Sequence, residues 1–178
     1  MKRIIVLIIV VVMNGCAAME GPRLVPLKGD YSKVQNTFYT DKSKDEVWSK
    51  IVELFSTNGI GISLIDKSSG LIVSNKTSFI DSYTREDEHG RLINNKAFLV
   101  VEHYDNLRKD LNAPQVCDGI WNIRMFNKDG KTAININLTN IKAHAEMNFG
   151  TYLGVKAFDF NSKSTGSFEK MIAESLLL

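Results

Sequence analysis

Two cysteines, three histidines and three prolines are all of these types in a chain of 178 residues. Two cysteines exclude a disulfide-stapled scaffold and a cysteine-rich zinc module. His89, His103 and His144 each stand further than three to five residues from another histidine or cysteine, so no helical zinc motif is present. A Gly-x-Ser-x-Gly elbow is missing, and so is a glycine-rich phosphate loop carrying its lysine, which leaves neither a hydrolase nor a nucleotide signature. The regular Asp/Asn alternation of a calcium loop is absent too. The longest apolar run, Ile4 to Met13, falls well short of the roughly 20 residues that a membrane helix needs.

What the chain does have begins at its start. Lys2 and Arg3 precede that apolar run, and Asn14-Gly15-Cys16 follows it directly. A charged start, a short greasy stretch and a cysteine after a small residue resemble a bacterial lipoprotein signal. The resemblance implies cleavage after residue 15 and acyl chains, palmitate among them, on Cys16. More than one chain is needed for firm anchoring, and this modification supplies that. Of the 22 basic and 20 acidic side chains, cleavage removes Lys2 and Arg3 and no acid, so the mature chain is electroneutral. A neutral domain has no electrostatic footprint for nucleic acid, and no such partner is expected. Ala17 stands where an aspartate marks inner-membrane retention in the best-known sorting system, so the resemblance implies the outer membrane, facing the periplasm. With Cys16 lipidated, Cys117 has no intramolecular partner, and burial in a strand is its expected state.

The expected organisation is a signal over residues 1–15, a lipidated N-terminus and tether over 16–33, and one domain over 34–178. Gly21-Pro22, Pro26 and Gly29 give the second segment its tether character. The domain's about 145 residues suit a single core. A short strand is expected at Val34 to Tyr39. Ser43-Lys44-Asp45-Glu46 then forms a capping box, Val47, Trp48, Ile51, Val52, Leu54 and Phe55 recur at helical spacing, and Asn58-Gly59 ends the helix. The period changes to two in Ile60 to Ile65 and, after Asp66 to Gly70, in Leu71 to Val73, which predicts a hairpin. Ala97 to Tyr104 reads as one strand. Trp121, Ile123 and Met125 alternate with polar residues, as do Ile134, Ile136 and Leu138 beyond the turn at Asn127 to Gly130, so this second hairpin has one dry face. A closing helix is predicted around Phe168, Met171, Ile172 and Leu176, with Glu169 in its first turn, where the helix dipole favours negative charge. The predicted fold is α+β: a two-layer sandwich with an antiparallel sheet of about five to six strands and two helices on one face.

The stretch from Ser43 to Phe79, with its capped helix, Asn-Gly stop, strand, Asp-Lys-Ser-Ser-Gly turn and Leu-Ile-Val-Ser-Asn, resembles small domains of exported bacterial lipoproteins. Among these are the repeated domains of a lipoprotein component of the outer-membrane β-barrel assembly machine. That resemblance implies a non-enzymatic adaptor whose partner is another envelope protein. Asp41 to Phe55 also resembles the entry to helix-grip domains, which implies the alternative of a small apolar ligand. No catalytic residue, cofactor or metal is expected. His103 with Cys117 or Asp118 is the one cross-strand combination able to pair a base with a thiol, against the simpler reading of a solvent-facing histidine. Asp81, Glu86, Asp87 and Glu88 read as a solvated acidic loop. The aromatic stretch Phe149, Tyr152, Phe158 and Phe160 reads as a last edge strand or as an exposed partner or ligand surface, with Tyr104 to Pro114 as its rim.

Overall fold

A computed structural model of the chain describes residues 21–31, 34–105, 112–148, 151 and 154–177. The signal and Cys16 therefore lie outside the described residues, as do Phe149, Gly150, Tyr152 and positions 106–111 of the expected rim. Among the described residues the fold is α+β, with two helices and a mostly antiparallel sheet of many strands.

Its centre is the hairpin of β9 (Val116–Lys128) and β10 (Lys131–Asn148), where Asp129 (φ 53°) and Gly130 (φ 77°) make the two-residue turn. Strand β4 (Leu71–Ser74) pairs with β9, and β3 (Ile62–Asp66) forms the edge beyond it. On the other side β10 carries β2 (Thr37–Thr40) near its start and β11 (Val155–Asp159) near its end. The two-residue β5 (Thr77–Ser78) adds to β9, which brings this sheet to seven strands. The expectation of five to six strands falls short of this sheet because the two-residue β5 shows no alternation of its own and β11 lies in the aromatic stretch that is also open to another reading.

Helix α1 (Lys44–Thr57) begins with the capping box, both halves of which form: the Ser43 hydroxyl accepts from Glu46 N, and Glu46 accepts from Ser43 N at 2.8 Å. It ends at Asn58, followed by Gly59 at φ 66°. Val47, Trp48, Ile51 and Phe55 are buried on one side of it. Helix α2 (Ser167–Leu177) buries Phe168, Ile172 and Leu176. The helices touch each other; α1 also reaches β9, and α2 reaches β2. Their apolar faces join Ile72, Trp121, Ile123, Met125, Ile134 and Ile136 in one core, in which the Trp121 ring stacks on Phe168 at 3.9 Å between centroids. Glu169 stands in the first turn of α2, as expected, and is buried there.

Two corrections concern the remaining chain. Ala97 to Tyr104 is not one strand. Glu102 interrupts it by donating its backbone N–H to Asn161 O at 3.0 Å and accepting from Asn161 Nδ2 at 2.8 Å. Before the break, β7 (Leu99–Val101) sits between β6 (Tyr83–Thr84, parallel) and β12 (Ser162–Ser164) in a three-stranded sheet. After it, β8 (His103–Asp105) pairs with β1 (Arg23–Val25). Of the segment read as a tether, Arg23–Val25 therefore pairs with the domain, and Lys28, Gly29 and Tyr31 hydrogen-bond to Glu86. None of the described helices is long and apolar enough to cross a membrane.

Candidate functional site

Of the four aromatic residues read as a last edge strand or an exposed surface, Phe158 and Phe160 are described. Tyr104 meets Phe158 and Phe160 edge to face, with centroids 5.5 and 5.4 Å away, and its hydroxyl donates to Asp159 O at 2.8 Å. Phe160 is only 4% exposed and donates its N–H to Ala143 O, so it belongs to the core, and Phe158 is half-buried beside it. Neither forms the exposed patch that their aromatic character suggests, and the strand alternation itself turns Phe160 inward. Phe149 and Tyr152 lie outside the described residues.

The base-and-thiol combination does not assemble. His103 lies 3.8 Å from Asp105, while Cys117 faces Ala143 in the β9–β10 register. Cys117 is buried, and that burial, helped by the neighbouring Asp118 carboxylate, pushes its thiol up to about 12. A thiol so protonated is a poor nucleophile. Among the described residues, no three His, Cys, Asp or Glu side chains are grouped to hold a metal ion.

The acidic loop is more ordered than a solvated face. Glu86 accepts from Lys28 N at 2.7 Å, Gly29 N at 2.8 Å and the Tyr31 hydroxyl at 2.8 Å. Burial alone would raise its pKa, but these donors outweigh burial and hold the carboxyl below its ordinary range, while burial, together with the same contact, raises that of Tyr31. A cleft of about 410 Å³ lies alongside, between Leu27, Lys28, Glu86, Asp87 and His103. The sequence holds no local signal for this arrangement, because the partners are 55 to 58 positions apart.

The face of the main sheet opposite the core side chains is the most organised polar surface. On β9 it carries Asn122, Arg124 and Phe126, and on β10 Asn135 and Asn137, the residues that alternate with Trp121, Ile123, Met125, Ile134 and Ile136. Asn135 and Asn137 join Thr37 of β2 and Asn36 just before it in a closed ring of hydrogen bonds. Asn36 Nδ2 donates to Asn137 Oδ1 at 3.1 Å, Asn137 Nδ2 to Asn135 Oδ1, Asn135 Nδ2 to Thr37 Oγ1 at 2.9 Å, and Thr37 Oγ1 back to Asn36 Oδ1 at 3.1 Å. Each amide in the ring keeps a second N–H and further lone pairs for another molecule. Tyr39, 48% exposed, flanks it with its hydroxyl 3.4 Å from Lys128 Nζ, and Leu64, 49% exposed, stands across the sheet on β3. The alternation of Asn135 and Asn137 marks this face as wet, but nothing local shows that Asn36 and Thr37 join it from about a hundred positions away.

No protein-family model matches the chain, and no curated protein is significantly similar to it.

Proposed function

We propose that the chain is a cell-envelope lipoprotein, anchored through acyl chains on Cys16 in the outer membrane and facing the periplasm, whose domain binds another envelope protein as a non-enzymatic assembly accessory. In this reading the fold is a two-layer sandwich: both helices cover one face of the sheet, and the other face is left for the partner. The observation that carries it is the closed Asn36–Asn137–Asn135–Thr37 ring on the uncovered face. Its amides are held in place before any partner arrives, which lowers the ordering cost of binding. Tyr39 and Arg124 beside it are of the residue types enriched at interfaces. Anchoring itself rests on the signal-like pattern around Cys16.

The test joins two measurements in cells. Wild-type chain takes up labelled palmitate and sediments with the membrane, and Cys16→Ser does neither. A photoreactive residue at position 39 or 124 captures a discrete envelope protein, and an added Asn137→Asp removes that adduct. Palmitate labelling of Cys16→Ser overturns the anchor, and an adduct unchanged by Asn137→Asp overturns the surface.

A second reading, a binding domain for a small apolar ligand, is favoured by a cleft of about 300 Å³ between α2 and β2, lined by Phe38, Ile134, Ala173 and Leu176. A bulky Ala173→Trp that leaves binding of an apolar fluorescent probe unchanged would remove it.

A further inference from the structure

The β9–β10 ladder breaks once. Thr139 pairs with Ile120 and Lys142 with Asp118, so Asn140 and Ile141 together oppose the single residue Gly119. This is a β-bulge, a device that bends a strand and re-aims its side chains. Asn140 takes the left-handed conformation at φ 52°, which a non-glycine residue adopts infrequently. Gly119 leaves little room opposite it, since a Cβ there would stand 3.0 Å from Leu138 Cδ1 and 3.3 Å from Thr139 O.

The bulge opens a cleft of about 540 Å³, within the range of small-molecule sites, lined by Lys76, Asp118, Ile120, Asn140, Ile141 and Lys142. Asp118 and Ile120 share one face of β9, and Lys142 is the direct cross-strand neighbour of Asp118. The Asp118 residue is 6% exposed, and its carboxylate binds Lys76 Nζ at 2.7 Å, which fixes that ammonium at the cleft wall. A carboxylate this buried is held by its partner, so the Lys76–Asp118 pair is a built feature of the wall. Lys142 has no carboxylate within ion-pair distance among the described residues, so the cleft carries one unbalanced positive charge. Ile120 and Ile141, both half-buried, supply apolar walls.

We propose that this cleft binds a small amphiphilic anion, whose carboxylate or phosphate head sits between Lys142 and Lys76 and whose apolar body lies along Ile120 and Ile141. Asn140, placed by the bulge, offers its amide to the same head group. The binding is independent of the asparagine ring and of the anchor. The shared chemistry, a charged head on an apolar body, occurs both in free organic acids and in anionic lipid head groups.

Full-length protein in phosphatidylcholine nanodiscs is titrated with 4-phenylbutyrate, with 4-phenylbutylamine as the opposite-charge control, by calorimetry and by protection of lysine amines from acetylation read in a mass spectrometer. In a second arm phosphatidylglycerol replaces the phosphatidylcholine. The expected result is protection of Lys142 and Lys76 but not of exposed Lys131, in the first arm for a free acid or in the second for a lipid head group. Lys142→Ala weakens binding about tenfold or more, and Lys142→Arg restores it. Lys142 is exposed, so these variants fold as wild type does. Absence of selective protection in both arms, or equal binding of the amine, overturns the proposal.

Discussion

Replacing Glu86 with alanine tests how the stretch from Arg23 to Tyr31 is held. That strap has two fastenings: the three register pairs of β1 with β8, and the three hydrogen bonds that Glu86 accepts from Lys28 N, Gly29 N and the Tyr31 hydroxyl. The fit is close, because a Cβ on Gly29 would lie 2.8 Å from Glu86 Oε1 and one on Gly90 2.9 Å from Lys28 Cβ. A hydrogen bond to a charged group contributes about 1.5–3 kcal/mol, and three on one partly exposed carboxylate are not additive, so the strap's opening free energy falls by about 2–3 kcal/mol. Exchange of the Lys28 and Gly29 amides then quickens by about 30- to 150-fold. Hydrogen exchange read on the peptide spanning residues 21–31 measures this, with β9 and β10 as unaffected references, since among the described residues β1 pairs only with β8. Unchanged exchange at positions 28 and 29 refutes the reasoning, and so does equal acceleration across β9 and β10. The same carboxyl gives a pH dependence. Its folded pKa lies below the unfolded one, so its contribution is present above the ordinary carboxylate range and is lost as the pH falls through the folded value. The protection of the strap amides in the wild type, taken relative to the intrinsic exchange rate at each pH, therefore falls in acid and approaches that of Glu86→Ala.

Glu169 has the opposite sign. Its carboxyl is buried with Oε2 unpartnered, and that burial outweighs the Ser164 hydrogen bond and raises its pKa. Stability from the neutral form is complete below the unfolded pKa and lost as the pH rises through the folded one, so Glu169→Gln becomes progressively more stable than wild type toward neutral pH in urea denaturation. Gly70 sits at φ 74° with a Cβ position 2.1 Å from Met125 O, so Gly70→Ala costs more than the about 1 kcal/mol of backbone strain alone and lowers the urea midpoint accordingly. Trp121→Ala removes a fully buried ring packed on Phe79 and Phe168, with an expected loss of about 3–5 kcal/mol by chemical denaturation. Cys117 resists a thiol reagent at pH 8 in the folded protein and reacts at once in denaturant.

Local chemistry is the legible part of this fold. The capping box at Ser43 and Glu46, the Asn58-Gly59 stop, both hairpins and the closing helix each depend on residues within a few positions of one another, where periodicity and turn chemistry act. What stays hidden depends on distant partners. Ala97 to Tyr104 is uniformly suited to a strand, and the break at Glu102 is imposed by Asn161, 59 positions away. Arg23 to Val25, flanked by prolines and glycines, carries no strand signal and becomes one only because β8 offers an edge. The candidate sites follow the same rule. Asn135 and Asn137 announce a wet face, but the ring needs Asn36 and Thr37, and the cleft needs a bulge that pattern reading passes over, since Ile136, Leu138 and Ile141 look like one alternation with a slip.

The strap also changes what a lipid anchor on Cys16 accomplishes. A free segment from Cys16 to position 33 spans at most about 60 Å, whereas the seven steps from Cys16 to Arg23 span at most about 25 Å. Effective concentration falls roughly as the −3/2 power of tether length, so under the proposed anchoring this shortening raises the domain's concentration near the membrane about fourfold. Under the proposed function, a partner bound through the asparagine ring must then itself present its surface within a few nanometres of the bilayer. Releasing both fastenings, by adding Leu24→Pro in β1 to Glu86→Ala, lengthens the reach again without touching the ring, so an envelope adduct captured at position 39 weakens in that double variant if the partner lies in the membrane plane and persists if the partner comes from the soluble space beyond it.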